Sequence, residues 1–302
     1  MDEATPSPLA PPIKSGQKIR VLSSFIVKSP SMPIARINDH NMYYEVHGTT
    51  GEPVLLMGGW GTFCHGGEGH LPRGLSENHR VVIIDYRGIG DSDDDLSKPS
   101  SIDMYADDGI QLLEHLGFKS NAHLIGLVGM GACISQVIAL KRPDMVKSMM
   151  NMGAWCETTD AFFHEQMELF RVIHRDAGWA TFQRLVCVMS FREDFYNANQ
   201  QKLLGPNGPW RELNGRFGAH DRFLNACLAH NVTAQLKNVT CKTLVVHSHL
   251  DIVTGPRLTK PIEHAIPGAK GIDLLDFAHV VAGKEQKIQF AKLVADWMAS
   301  VA

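Results

Sequence analysis

Apolar residues fall along this chain in two textures. Short runs at Val54-Leu55-Leu56-Met57, Val81-Val82-Ile83-Ile84, His123 to Val128 and Thr243 to His247 have the length and continuity of strands buried on both faces, and Val146 to Met152 reads as another strand. Between them the apolar positions are spaced. Tyr105, Ile110, Leu112, Leu113 and Leu116 within Ile102 to Leu116 predict an amphipathic helix, with Gly117 as its stop. Ala35 to Ile37 and Met42 to Val46, joined by the polar residues 38–41, predict an opening hairpin. Towards the C-terminus a helix is predicted at about Arg257 to Ala265, a strand around Gly271 to Leu275 and a last helix over Lys284 to Ser300. Strands alternating with helices at this pitch imply a parallel sheet covered on both faces.

The alternation breaks once. From about Cys156 to Val239 the chain keeps helical spacing without buried runs, interrupted at Gly205-Pro206-Asn207-Gly208-Pro209, and this predicts a helical lid inserted into the sheet domain. The lid is rich in large apolar residues: Phe162, Phe163, Met167, Phe170, Trp179, Phe182, Leu185, Met189, Phe191 and Phe195. Most of them must pack the lid onto its base. With Trp60 opposite, the remainder favour a small or medium apolar ligand carrying one carbonyl.

At 302 residues and 44% apolar content, the chain can bury one large α/β core with an insertion. A net charge of −3 offers no attraction for phosphate backbones or anionic membranes, and no apolar run approaches the roughly 18 residues of a spanning helix. Neither nucleic acid nor membrane is therefore expected as a partner; a homodimer stays open beside a monomer. Six cysteines without a C-x-x-C pair read as free thiols of a reducing compartment, hence a cytoplasmic protein. Residues 1–32, with five prolines and little periodicity, are expected to form a flexible tail. Lys14, Lys18 and Arg20 leave an organelle-targeting reading open.

Candidate chemistry centres on His123 to Leu140. An apolar run meets Gly126, Gly129 and Gly131 and a long apolar helix follows, which is the shape of a G-x-S-x-G nucleophile elbow. The serine is missing. Counting seven residues back from Gln136 puts the nucleophile slot at Gly129, and counting two forward from Gly126 puts it at Val128; neither can attack a carbonyl. Cys133 would lie one turn down the helix, a packing thiol, and neither Ser135 nor Ser92 is better placed. His65 and His70, beside Cys64 and Glu68, do not by spacing alone make a metal site, and no metal is expected. Gly126 to Gly131 lacks the lysine of a P-loop and the later acid of a dinucleotide fold, so no cofactor is expected.

Taken in order, these segments resemble the α/β-hydrolase fold from about Pro33 to Ala302, most closely in pattern the small enol-lactonase-like and esterase-like members. Val54 to Gly61 resembles the strand and loop that supply an oxyanion-hole amide. Asp85-Tyr86-Arg87-Gly88-Ile89-Gly90-Asp91-Ser92 resembles the D-x-R-G-x-G-x-S signature, His247 to Asp251 stands where the family has H-G-x-x-D, and Asp276-Phe277-Ala278-His279 stands at the turn ending in the family's histidine. The resemblance implies a mostly parallel eight-stranded sheet with helices on both faces and the lid at about 156–239. It also implies a His279–Asp251 pair, and an oxyanion hole made of the backbone amides of Trp60 and Met130. Gly58 departs from the family's usual histidine, and the strand before the elbow reads one or two residues long.

Three functions follow from a triad without its nucleophile. His279, oriented by Asp251, can act as a general base on water or on an acidic substrate proton, with no acyl-enzyme, on an ester, lactone or enolisable ketone. Alternatively the protein is an inactive, lidded binder or scaffold. In the third reading it is an ordinary serine hydrolase whose nucleophile lies elsewhere.

Overall fold

The computed structural model describes residues 33–61 and 65–302. The tail expected over residues 1–32 and Cys64 of the metal-ligand reading lie outside them. Among the described residues, eight strands form one sheet: β1 (Ile34–Ile37), β2 (His40–His47), β3 (Pro53–Met57), β4 (Arg80–Ile84), β5 (Ala122–Gly126), β6 (Val146–Met152), β7 (Lys242–Ser248) and β8 (Lys270–Leu274). Their spatial order is β1-β2-β4-β3-β5-β6-β7-β8. β2 runs antiparallel to its neighbours β1 and β4, and every other pairing is parallel. The helices are α1 (Leu75–Asn78), α2 (Ile102–His115), α3 (Met130–Lys141), α4 (Ala161–Ala177), α5 (Trp179–Ser190), α6 (Glu193–Leu203), α7 (Phe217–Leu228), α8 (Pro256–Ala265) and α9 (Lys284–Ser300).

The period-two geometry of a strand sends alternate residues to opposite faces, which is why β3 and the Val81–Ile84 stretch of β4, buried on both faces, are apolar without a break. Leu55, Met57, Val82 and Ile84 pack with Tyr105 and Leu112 of α2, Ile134 of α3 and Leu258 of α8. Their neighbours Val54, Leu56, Val81 and Ile83 pack on the other face with Phe290, Val294 and Trp297 of α9. α3 is buried from Met130 to Ala139, since the sheet lies under it and α2 lies beside it. α2 begins and ends as its sequence predicts. The Ser101 side chain accepts from the Met104 amide, and beyond the last turn Gly117 takes φ 82° while its amide donates to the Glu114 carbonyl at 2.9 Å.

The strand expected to run from His123 to Val128 stops at Gly126. A side chain at Gly126 would stand 2.4 Å from the Cα of Ala132, so the start of α3 closes directly over the strand end and the chain has to turn there. Leu127 and Val128 belong to the turn, and Val128 takes the left-handed φ of 47°.

Register carries the fold to the site. Met57 of β3 pairs with Gly126 of β5, Gly126 with Asn151 of β6, Met152 with Val246 of β7, and Ser248 with Leu274 of β8. The loops after these five strands therefore leave from one edge of the sheet, the edge at which open α/β sheets bind their ligands. α4 to α7 occupy the stretch between β6 and β7, and residues of α4 and α5 reach the cavity at that edge.

One ion pair braces the loop after β4. Arg87, almost fully buried, makes two hydrogen bonds to Asp108 of α2, at 2.6 and 2.7 Å, and a third to Asp39 at 2.6 Å. Asp108→Ala takes away both of its close buried contacts and leaves that guanidinium with the half-exposed Asp39 and the more distant Asp94, at 4.0 Å. An expected loss of about 3 kcal/mol follows from uncompensated buried charge, to be read from urea unfolding; a loss below about 1 kcal/mol, the range of an exposed pair, would show the contact to be dispensable.

Candidate active site

Loops from the ends of β3, β5, β6, β7 and β8 meet around one cavity. From the end of β5 the chain reaches Gly129, whose φ of 93° and ψ of −106° L side chains rarely adopt, and α3 starts at the next residue, Met130. Gly131 is held as tightly as Gly126: a Cβ there would stand 2.3 Å from the Met57 carbonyl oxygen. These two close approaches are five residues apart, one more than G-x-S-x-G provides, and the surplus is taken up by consecutive positive φ angles at Val128 and Gly129. A Cβ on Gly129 would meet the Trp155 ring at 3.2 Å.

From the loops after β7 and β8 come Asp251 and His279. The His279 Nδ1 lies 2.9 Å from Oδ2 of Asp251. The other carboxylate oxygen accepts the backbone amides of Val253 and Thr254, both at 2.8 Å, and the Thr254 hydroxyl donates to Oδ2 at 3.0 Å while standing 3.1 Å from the imidazole Nδ1. Burial pushes the Asp251 carboxyl up, but the facing imidazole and the two amides pull it down further, and it is held below the usual carboxylate range. An ionised Asp251 fixes the proton of His279 on Nδ1 and turns Nε2 into the free, basic nitrogen.

His279, Thr254, Gly129, Met130, Trp60 and Trp155 line a narrow cavity, whose remaining wall includes Met167, Phe170, Val186, Ser190 and Trp210 of the helical insertion. All five residues that the sequence proposed for the site, His279, Asp251, Gly129, Trp60 and Met130, are brought to this place; Asp251 stands one layer behind the wall.

Other candidates lie elsewhere. Cys133 is fully buried with its Sγ donating to the Trp155 carbonyl at 3.4 Å, and burial pushes its thiol well above the ordinary range. Ser135 donates to the Ala132 carbonyl at 2.7 Å, and Ser92 to that of Asp85 at 2.8 Å. His65 stacks on Tyr43 and sits 2.6 Å from Asp85. His247 ties β7 to α8 through Thr259 and Glu263. No group of three or more His, Cys, Asp or Glu side chains among the described residues is placed to hold a metal ion. No helix among them is long and apolar enough to cross a membrane.

A family model for the alpha/beta hydrolase fold matches residues 52–284. This chain belongs to that family. As an α/β hydrolase it is 32% identical over 245 residues to RutD of Azorhizobium caulinodans, spanning 79% of this chain and 88% of that one. It is 28% identical over 260 residues to Lipase 3 of a Moraxella species, covering 80% and 76% of the two chains. Among solved structures it is similar to the enol-lactonase from Burkholderia xenovorans, with a TM-score of 0.76 at 20% identity over 88% of this chain and all of the other.

Six side chains of this α/β hydrolase's cavity escaped the sequence reading: Trp155, Val186, Ser190, Trp210, Val253 and Thr254. Thr254 had a signal: an Asp whose carboxylate takes the amides two and three residues on makes an Asx-type turn, and D-x-x-T is its trace. Val186 and Ser190 follow the buried Phe182 at intervals of four on α5, so one helical stripe carries all three.

Proposed function

We propose that this α/β hydrolase binds a small apolar carbonyl compound, an ester, lactone or enolisable ketone, and that His279, held by Asp251, acts on it as a general base without an acyl-enzyme. The observation that carries this reading is the oriented imidazole opening onto a cavity in which the slot before α3 is a glycine. The helical insertion is the lid of the site. A lipase and an enol-lactonase among the similar proteins support an ester or lactone carbonyl, and RutD, which is named as a carbamate hydrolase, adds the carbamate.

In hydrolysis the free Nε2 of His279 takes a proton from water as the water oxygen attacks the carbonyl carbon. The carbonyl π pair moves onto oxygen, where the amides of Trp60 and Met130 receive the charge; the first amides of a helix have no partner within it, so Met130 is suited to the task. When the tetrahedral intermediate collapses, the imidazolium returns its proton to the departing alkoxide. With an enolisable ketone the same nitrogen takes the α-proton and the same amides hold the enolate oxygen.

The test is a panel of 4-nitrophenyl acetate, δ-valerolactone and dihydrocoumarin, run beside a fluorophosphonate probe that traps activated serines. Expected are hydrolysis rates about 10²- to 10⁴-fold above background, the range of positioned general-base catalysis, and no covalent labelling. Stoichiometric labelling of the wild-type protein would make it an ordinary serine hydrolase. Binding of the panel with no turnover of any member would leave an inactive binder.

A further inference from the structure

We propose that Ser190 is the hydroxyl with which this cavity recognises a second oxygen on its ligand, so that the substrate class narrows to carbonyl compounds carrying a hydroxyl or oxo group near the carbonyl. This rests on the carbonyl-binding reading of the cavity above.

The polar side chains lining the cavity are few. Thr254 spends its hydroxyl on Asp251 and His279, and the Nδ1 of His279 is engaged with them. That leaves Ser190. It is fully buried at the last residue of α5, it lines the cavity, and its Oγ has no hydrogen-bond partner among the described residues. A serine in a helix ordinarily satisfies its hydroxyl on the carbonyl one turn back. Ser190 does not, so its hydroxyl is left to be satisfied by what fills the cavity.

Position adds to the case. The Ser190 carbonyl accepts the Val280 amide at 3.0 Å, so this residue is clasped to the one that follows His279. An oxygen bound by Ser190 therefore stands close to a carbonyl presented to His279. The rest of the wall, with Trp60, Met130, Trp155, Phe170 and Trp210 prominent in it, is mostly apolar, and the Trp155 indole N–H is held by the Cys227 carbonyl, so Ser190 supplies the wall's unengaged hydroxyl. A site built to hydrogen-bond a ligand oxygen disfavours the analogue that lacks it.

The matched probes are ethyl butanoate and the two enantiomers of ethyl 3-hydroxybutanoate, with affinities measured by titration calorimetry on the full chain. The wild-type protein is expected to bind one hydroxy ester about tenfold more tightly than the plain ester, as one buried hydrogen bond would provide. In Ser190→Ala the preference falls below about twofold while the plain ester binds as before; the main-chain contact to Val280 is untouched by this change. A preference that survives in Ser190→Ala, no preference in the wild type, or no binding of any of the three overturns the assignment. So does a fluorophosphonate adduct on Ser190, which would make it a nucleophile. Calorimetry needs no turnover, so an inactive protein that discriminates sinks the catalytic reading alone, and an active one that does not discriminate sinks this one alone.

Discussion

Asp251→Asn is expected to lower kcat on a hydrolysed panel ester about 10⁴-fold, the cost of holding a catalytic histidine in the wrong tautomer. The wiring of the carboxylate decides this. One oxygen accepts two backbone amides, so the asparagine carbonyl must stay on that side and its NH2 must face His279. An NH2 only donates, so Nδ1 becomes an acceptor, the ring proton moves to Nε2, and the base facing the cavity is gone. The isosteric change keeps the Val253 and Thr254 amide contacts and gives up the Thr254 hydroxyl's donation to Oδ2, so stability should fall by about 1 kcal/mol, one hydrogen bond's worth. The pair of readings, kcat and urea unfolding, separates lost chemistry from lost structure. If Asp251→Asn keeps activity within about tenfold, less than a general base contributes, the His279–Asp251 pair does not drive the reaction.

Gly129→Ser is expected to create covalent reactivity where the wild type has none, with fluorophosphonate labelling rising about 100-fold or more as a nucleophile joins its base. The same change is expected to cost about 1–3 kcal/mol, because a side chain is forced into a sparsely populated backbone region. Its Cβ also presses on the Trp155 ring at 3.2 Å. Trp155 is nearly fully buried and donates its indole N–H to the Cys227 carbonyl at 3.3 Å, so it yields little. Adding Trp155→Phe removes the crowding ring edge, and the double variant should label faster than Gly129→Ser alone. Val128→Ser is the control, since Val128 also has positive φ and is the other residue that motif counting selects. Labelling at 128 and not at 129, in either background, would move the slot.

Most of the sheet was legible because parallel strands covered on both faces are written as unbroken apolar runs, as Val54 to Met57 and Val81 to Ile84 are. That same property hid where the strand before the elbow ends. Leu127 and Val128 are as apolar as the strand they follow, and only the close approach of Ala132 to Gly126, a contact across the turn, ends the strand. His279 and Asp251 were found through the order of matched segments, and the structure places them 2.9 Å apart. The helical insertion was read least well. Periodicity tells which face of a helix is covered but not what covers it: Phe162 is exposed beside Arg257, Phe163 and Phe182 are fully buried, and Met167 and Phe170 line the cavity with Val186. Trp210 enters the wall from a left-handed backbone conformation just past Gly208-Pro209, a placement no periodic pattern encodes.

The hydrogen bond between the Val280 amide and the end of α5 makes an interlock. The stretch of chain that carries the imidazole is thereby anchored to the helical insertion as well as to the sheet, so the seat of His279 against Asp251 is braced from both sides.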